Sequence, residues 1–175
     1  MKILETDRLN IRLMSPDDAE FILRLVNEPS WLQFIGDRGV RNLDDARAYI
    51  RNGPMEMQAR HGFGFYVLEL KDDGPPIGIC GLIKRDYLAD VDIGYALLPE
   101  YWAKGYAYEA AAAVASYAAK ELNLKRLVAI TTEDNLRSVK LLGKLGLRYE
   151  RMVAAPDGGR ELMLFGGEIA RGAAD

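Results

Sequence analysis

The residues best suited to chemistry lie in one segment, Leu97-Leu98-Pro99-Glu100-Tyr101-Trp102-Ala103-Lys104-Gly105-Tyr106-Ala107-Tyr108-Glu109. Its pattern is strand, tight turn, helix start. The first backbone N–H groups of a helix have no partner within it and attract anions. Gly105, with the small Ala103 and Ala107, lets a pyrophosphate approach the main chain, and Lys104 adds a positive charge at the helix N-terminus. Pro99 ends the strand and removes one ladder donor. By itself the segment supports two readings: an anion cradle, or a packing turn that happens to contain glycine.

Other chemistries fall away on residue type and spacing. One cysteine, Cys80, and one histidine, His61, cannot build a His/Cys metal cluster, so no metal site is expected. Cys80 sits in the apolar run GICGLI as a small buried hydrophobe, and His61 reads as a surface residue. Neither G-x-x-x-x-G-K-[ST] nor G-x-G-x-x-G occurs, and Ser15, Ser30, Ser116 and Ser138 all lie outside G-x-S-x-G. The acid pairs Asp17-Asp18, Asp44-Asp45 and Asp72-Asp73 read as first-turn or turn residues.

Composition bounds the partners. The 175 residues are 49% hydrophobic and 28% charged, with a formal net charge of −3. That suits one domain over 1–166 with a tail over 167–175, and it lacks the basic excess of a nucleic-acid binder. A single cysteine forms no internal disulfide. The N-terminal MKILETDRLNIRL has no apolar signal core, and no apolar run approaches the ~20 residues of a membrane span. The expectation is a cytoplasmic protein with no membrane partner.

Several elements must position the segment. Leu9, Ile11 and Leu13 alternate as a half-buried strand, and Ser15-Pro16 starts a helix running to Val26. Residues 28–40 read as irregular, with exposed-looking Trp31 and Phe34. A helix over Leu43–Arg51 is interrupted at Gly53-Pro54, with a short helical piece over Met55–Arg60. Strands follow at Phe63–Leu70, Ile77–Lys84 and Val91–Leu98. An Ala-rich helix covers Tyr106–Leu122, then a strand Leu127–Thr131 and a helix Leu136–Leu145. A hairpin, Tyr149–Ala154 with Glu161–Phe165, closes the chain. This order makes an α+β domain, not a regular βαβ array.

The segment DIGYALLPEYWAKGYAYEAAAAV resembles motif A of the GCN5-related N-acetyltransferase (GNAT) superfamily. The Q/R-x-x-G-x-G/A pattern falls on Trp102 to Ala107: Gly105 and Ala107 match, and Trp102 departs. TEDNLRSVKLLGKLGL resembles the family's N-x-x-S-x-x-L-x-x-K-x-G-F element, and ETDRLNIRLMSPDDAEFI resembles the start of its ribosomal-protein N-terminal acetyltransferase subgroup. Together the three cover nearly the whole chain in the expected order. The resemblance implies a mixed, mostly antiparallel twisted sheet of about seven strands with helices on both faces. It also implies a splay between the fourth strand, Val91–Leu98, and the fifth, Leu127–Thr131.

In that gap the resemblance implies acetyl-CoA as acetyl donor. Leu97 and Leu98 would hold pantetheine through main-chain groups, one of their N–H groups would serve the oxyanion, Ala103, Lys104, Gly105, Tyr106, Ala107 and Tyr108 would hold the phosphates, and Asn135 would bind the arm from the next helix. The reaction would be direct attack of an amine on the thioester, which needs a proton acceptor and oxyanion donors. The tyrosine that family members use to protonate the thiolate is Leu142 here. Ser138 is the expected substitute and Asp92 the expected base or water relay, with Glu69 and Glu109 as lesser candidates. Trp31, Phe34 and Tyr49 are expected to line the acceptor wall.

The acceptor stays open between a protein N-terminal amine and a small-molecule amine. Dimers are common in the family, though nothing in this chain argues an interface. Other acyl donors, an oxygen acceptor, or a non-catalytic CoA-binding module are the alternatives. A dinucleotide-binding domain is disfavoured by the strand order.

Overall fold

The computed structural model describes residues 1–170. Its centre is one eight-stranded sheet in the order β1-β2-β3-β4-β5-β6-β8-β7. The strands are β1 (Lys2–Glu5), β2 (Leu9–Leu13), β3 (Phe65–Leu70), β4 (Pro76–Ile83), β5 (Asp92–Leu97), β6 (Arg126–Thr131), β7 (Arg148–Ala154) and β8 (Glu161–Glu168). All neighbours pair antiparallel except β5 and β6. The expected mixed sheet with helices on both faces is present, with one strand more than the sequence suggests. The extra strand, β1, is four residues long, too short for alternation to reveal it. At the other end β8 runs through Glu168, and the Ile169 N–H donates to the Lys125 carbonyl. Residues 167–169 therefore belong to the sheet layer and not to a tail; 171–175 lie outside the described residues.

The helices are α1 (Ala19–Leu25), α2 (Pro29–Phe34), α3 (Leu43–Ile50), α4 (Glu56–His61), α5 (Tyr106–Lys120) and α6 (Leu136–Lys144). Two regions differ from the sequence reading. Pro29–Phe34 is a helix rather than irregular chain, and its Trp31 is buried in a core with Ile22, Leu25 and Val40. The Gly53-Pro54 step does not break the path from α3. A wide π turn over Arg51–Met55 carries it into α4, which accommodates a proline that has no N–H to donate.

The sheet has two covered faces. Ala110, Ala111, Val114 and Ala118 of α5 bury against Tyr66, Cys80, Ile93 and Leu97, joined by Leu142 of α6. Alanines suit this helix twice, by propensity and by letting it lie close to the strands. On the other face α1, Trp31 of α2, and α3 cover Val67 and Ile79. Alternation along β5 sends Ile93, Tyr95 and Leu97 to the α5–α6 face and Ala96 to the α1–α3 face.

Candidate active site

β5 and β6 share a single registered pair, Asp92 with Val128, locked by a Val128 N–H bond to the Val91 carbonyl. Beyond it the strands part, and β6 pairs with β8 along its whole length instead. The gap opens into a cleft of about 1050 Å³ that reaches both faces of the sheet. Drug-sized sites run to about 300–1,000 Å³, so this cleft has room for a long arm and a second reactant.

The turn from β5 to α5 forms one wall. Gly105 is the residue before α5, with φ +83°, and no side chain caps the helix. The first intrahelical bond runs from the Glu109 N–H to the Gly105 carbonyl, so the N–H groups of Tyr106, Ala107 and Tyr108 have no helical partner. Ala103, Gly105, Tyr106, Ala107 and Tyr108 all line the cleft. Ala103 also has positive φ, at +57°, which costs an alanine about 1–2 kcal/mol. The loop is held in this strained form from outside. The Glu109 carboxylate accepts from Thr6 Oγ1 (2.5 Å), the Arg8 N–H (3.0 Å) and Arg8 Nε (2.6 Å). Arg8 Nη1 also donates to the Lys104 carbonyl at 2.8 Å, and its guanidinium lies 4.2 Å over the Tyr106 ring. Burial pushes the Glu109 carboxyl up, but the hydrogen bonds from Thr6 and Arg8 outweigh it and hold the group below its ordinary range.

Two cofactor expectations change. The Leu98 N–H donates to the Ile77 carbonyl and the Leu98 carbonyl accepts from Tyr101, while its side chain is buried against the α1–α3 face. Leu98 therefore leaves the set. Antiparallel ladders alternate, so a bonded Leu98/Ile77 pair turns the Leu97 N–H away from β4, toward the gap. The Leu97 carbonyl accepts from Trp102 Nε1 at 3.0 Å, which gives the motif-breaking tryptophan a role in fixing the turn. Lys104 does not line the cleft; its ammonium lies 5.7 Å from the Tyr101 ring centre. On the α5 side of the cleft the lining cations come from α6: Arg137 over Trp102, Lys140, and Lys144 over Tyr108. Their i, i+3, i+7 spacing is one helix face, a pattern legible in the sequence but absent from the expected phosphate-binding residues.

Asn135 caps α6, its side-chain oxygen accepting from the Ser138 N–H at 3.3 Å. Ser138 Oγ lies 2.9 Å from the Tyr95 hydroxyl, and both residues line the cleft. Tyr95 was not anticipated; it brings a phenol to the gap from β5, while Leu142, in the family's tyrosine position, is buried in the core. Burial raises the Tyr95 phenol to about 12, against a smaller opposing effect of Ser138, so it stays protonated.

Asp92 lies at the root of the splay. It is 1% exposed and accepts from Arg85 Nε at 2.6 Å. Burial raises its carboxyl to about 6, and the Arg85 ion pair pulls the other way. Tyr49 lines the same part of the cleft, its phenol raised by burial. Trp31 and Phe34 line it too, so the three expected wall residues come together. Glu69 pairs with Arg12 at 2.7 Å outside the cleft, Glu109 is engaged as above, and His61 stacks on Phe63 away from the site. Among the described residues no group of His, Cys, Asp or Glu could hold a metal ion, and no helix is long and apolar enough to cross a membrane.

A splayed parallel pair, an uncapped glycine-started helix and a cationic helix face are features suited to a phosphate-bearing ligand. Comparison with known proteins agrees. The family model for the acetyltransferase (GNAT) domain matches residues 8–148, and the chain belongs to that family. It is 32% identical over 151 residues to the uncharacterized N-acetyltransferase YoaA of Bacillus subtilis (strain 168), covering 85% of this chain and 84% of YoaA. Among solved structures, RimL, the ribosomal L7/L12 α-N-protein acetyltransferase in complex with coenzyme A, superposes with a TM-score of 0.82. Its identity is 16%, covering 98% of this chain and 99% of that one. A spermidine N-acetyltransferase SpeG chimera from Vibrio cholerae and hSSAT superposes with a TM-score of 0.73 at 18% identity, covering 90% of this chain and 93% of the chimera. The protein is thus an acetyltransferase of the type that moves an acetyl group from acetyl-CoA to an amine.

Proposed function

We propose that this chain acetylates a primary amine, either a protein N-terminal α-amine or a small-molecule amine, by direct attack within a ternary complex. The observation that carries the reading is the two-faced splay. Asp92 approaches its root beside Tyr49, and Ser138 with Tyr95 approaches from α6. Acetyl-CoA supplies an activated acyl carbon on a thiol leaving group. The N–H groups of Tyr106, Ala107 and Tyr108, with Arg137, Lys140 and Lys144, are suited to its phosphates. Asn135 and the Leu97 N–H are suited to its amide-bearing arm, and the Leu97 N–H is also the oxyanion donor in this reading. Asp92 takes the amine proton, directly or through water, from the side the acceptor enters. Ser138, oriented by the Tyr95 hydroxyl, donates to the departing sulfur.

The test is a panel of peptides and small amines with acetyl-CoA, reading free thiol. Turnover of at least one class is expected, with Tyr95→Phe and Ser138→Ala each lowering kcat by about tenfold and leaving the KM for acetyl-CoA within about twofold. Thiol release unchanged in both variants would remove Ser138 and Tyr95 from the mechanism.

A further inference from the structure

The acceptor end of the cleft contains more hydrogen-bond donors than acceptors. Its carboxylates are engaged: Asp92 by Arg85, and Glu28 by Arg24 at 3.5 Å. Across the cleft, Asp157 in the β7–β8 turn accepts the Gly159 N–H. The donors are not matched in this way. Arg38, exposed between α2 and α3, makes no hydrogen bond or ion pair among the described residues; the nearest acid in sequence, Asp37, is taken by Arg41. The Tyr49 hydroxyl, close enough to Arg38 and Arg85 to sense both charges, has no hydrogen bond among the described residues. The indole Nε1 of Trp31 is buried and has no partner among them either. All three residues line the cleft.

The buried Trp31 indole and the half-buried Tyr49 hydroxyl are unmatched donors whose missing bonds a ligand carrying acceptor oxygens can supply, and the exposed Arg38 guanidinium at the rim is available to pair with the same ligand. A guanidinium matches a carboxylate in particular, since its planar N–H fork offers two parallel bonds. A polyamine is the opposite case: it needs free carboxylates, and the two carboxylates on the Arg38 side of the cleft, Asp92 and Glu28, are already paired with arginines. We infer that the acceptor is a primary amine that also bears a carboxylate, held by Arg38 with Tyr49 and Trp31 while its amine faces Asp92. This rests on the acetyl-transfer reading above and narrows the acceptor class.

The experiment uses matched acceptors with acetyl-CoA and the full chain: a free amino acid against its carboxamide, a dipeptide with an acidic second residue against its amide counterpart, and spermidine. The carboxylate member of a pair is expected to exceed its neutral partner in kcat/KM by about tenfold or more, the scale of one charge-assisted contact. Arg38→Gln should bring that ratio to within about twofold of unity and leave the KM for acetyl-CoA unchanged, while Arg38→Lys retains part of it. The first two pairs separate an α-carboxylate from a side-chain one, and a preference in either supports the inference. A preference for neutral amines or spermidine, or a ratio indifferent to Arg38→Gln, overturns it. Should no amine release thiol, the acetyl-transfer reading fails separately, and the inference is then decided by melting of the CoA-loaded protein. Stabilisation by the carboxylate-bearing amine in wild type but not in Arg38→Gln supports it, and equal shifts overturn it.

Discussion

At the scale of single residues, Asp92 makes the sharpest prediction. Burial places its carboxyl at about 6 despite the ion pair with Arg85. As a base it works only when ionised. The acid limb of kcat/KM, corrected for ionisation of the amine, should therefore have its midpoint near pH 6. Asp92→Asn should abolish that limb and lower the rate by about a hundredfold, within the usual range for a general base. A limb that survives in Asp92→Asn assigns it to another group. The sign for stability follows from the same shift. The folded pKa lies above the unfolded value of about 3.9, so the carboxyl favours folding below about pH 4, and that contribution is lost as pH rises through about 6. An ordinary ion-paired aspartate behaves the other way. The urea midpoint of wild type relative to Asp92→Asn should thus fall from pH 4 to pH 7.

At the scale of elements, the loop before α5 depends on the connection between β1 and β2. Thr6 and Arg8 lie in that connection, yet their side chains fasten Glu109 in the first turn of α5 and the Lys104 carbonyl in the loop. Without that anchor, Ala103 has less to hold it at positive φ, and the N–H groups of Tyr106 to Tyr108 lose their fixed aim. If the loop holds the phosphates and not the reacting carbon, as proposed, Glu109→Gln should raise the KM for acetyl-CoA by about three- to tenfold, with kcat at saturating acetyl-CoA within about twofold. Equal loss in kcat would place Glu109 in the chemistry instead. The sequence offers Glu109 only as a lesser candidate for the base; its clamp by residues about a hundred positions away is a long-range contact that no local pattern carries.

At the scale of the whole molecule, the cleft joins both sides of the sheet. Ligand held in the splay bridges β5 and α6, elements otherwise tied near that point by the Tyr95–Ser138 bond. Acetyl-CoA at about a hundred times its Kd should raise Tm by roughly 5–10 °C, given about 2.7 kcal/mol of linkage and the size of the chain. No shift at saturation would count against the cleft as its site. The acceptor half, by contrast, is built from α2, α3 and the β4–β5 connection, which differ in origin along the chain and meet only in three dimensions.

Local pattern alone determined much of this protein. Alternating apolar residues marked β2, Ser15-Pro16 marked a helix start, and Gly105 with Ala107 marked the anion cradle, because these signals act between near neighbours. The splay was expected only through family resemblance, since no short-range pattern encodes two strands parting after Asp92. Tertiary structure decided which groups are spent and which are available. It paired the Leu98 N–H with Ile77, turned Lys104 out of the cleft lining while placing Arg137, Lys140 and Lys144 of α6 in it, and brought Tyr95 to Ser138. It buried Asp92 beside Arg85 and left Arg38 without a hydrogen bond or ion pair among the described residues. Hydrogen-bond partners and desolvation depend on contacts between distant segments, and the reactivity of a site follows from them.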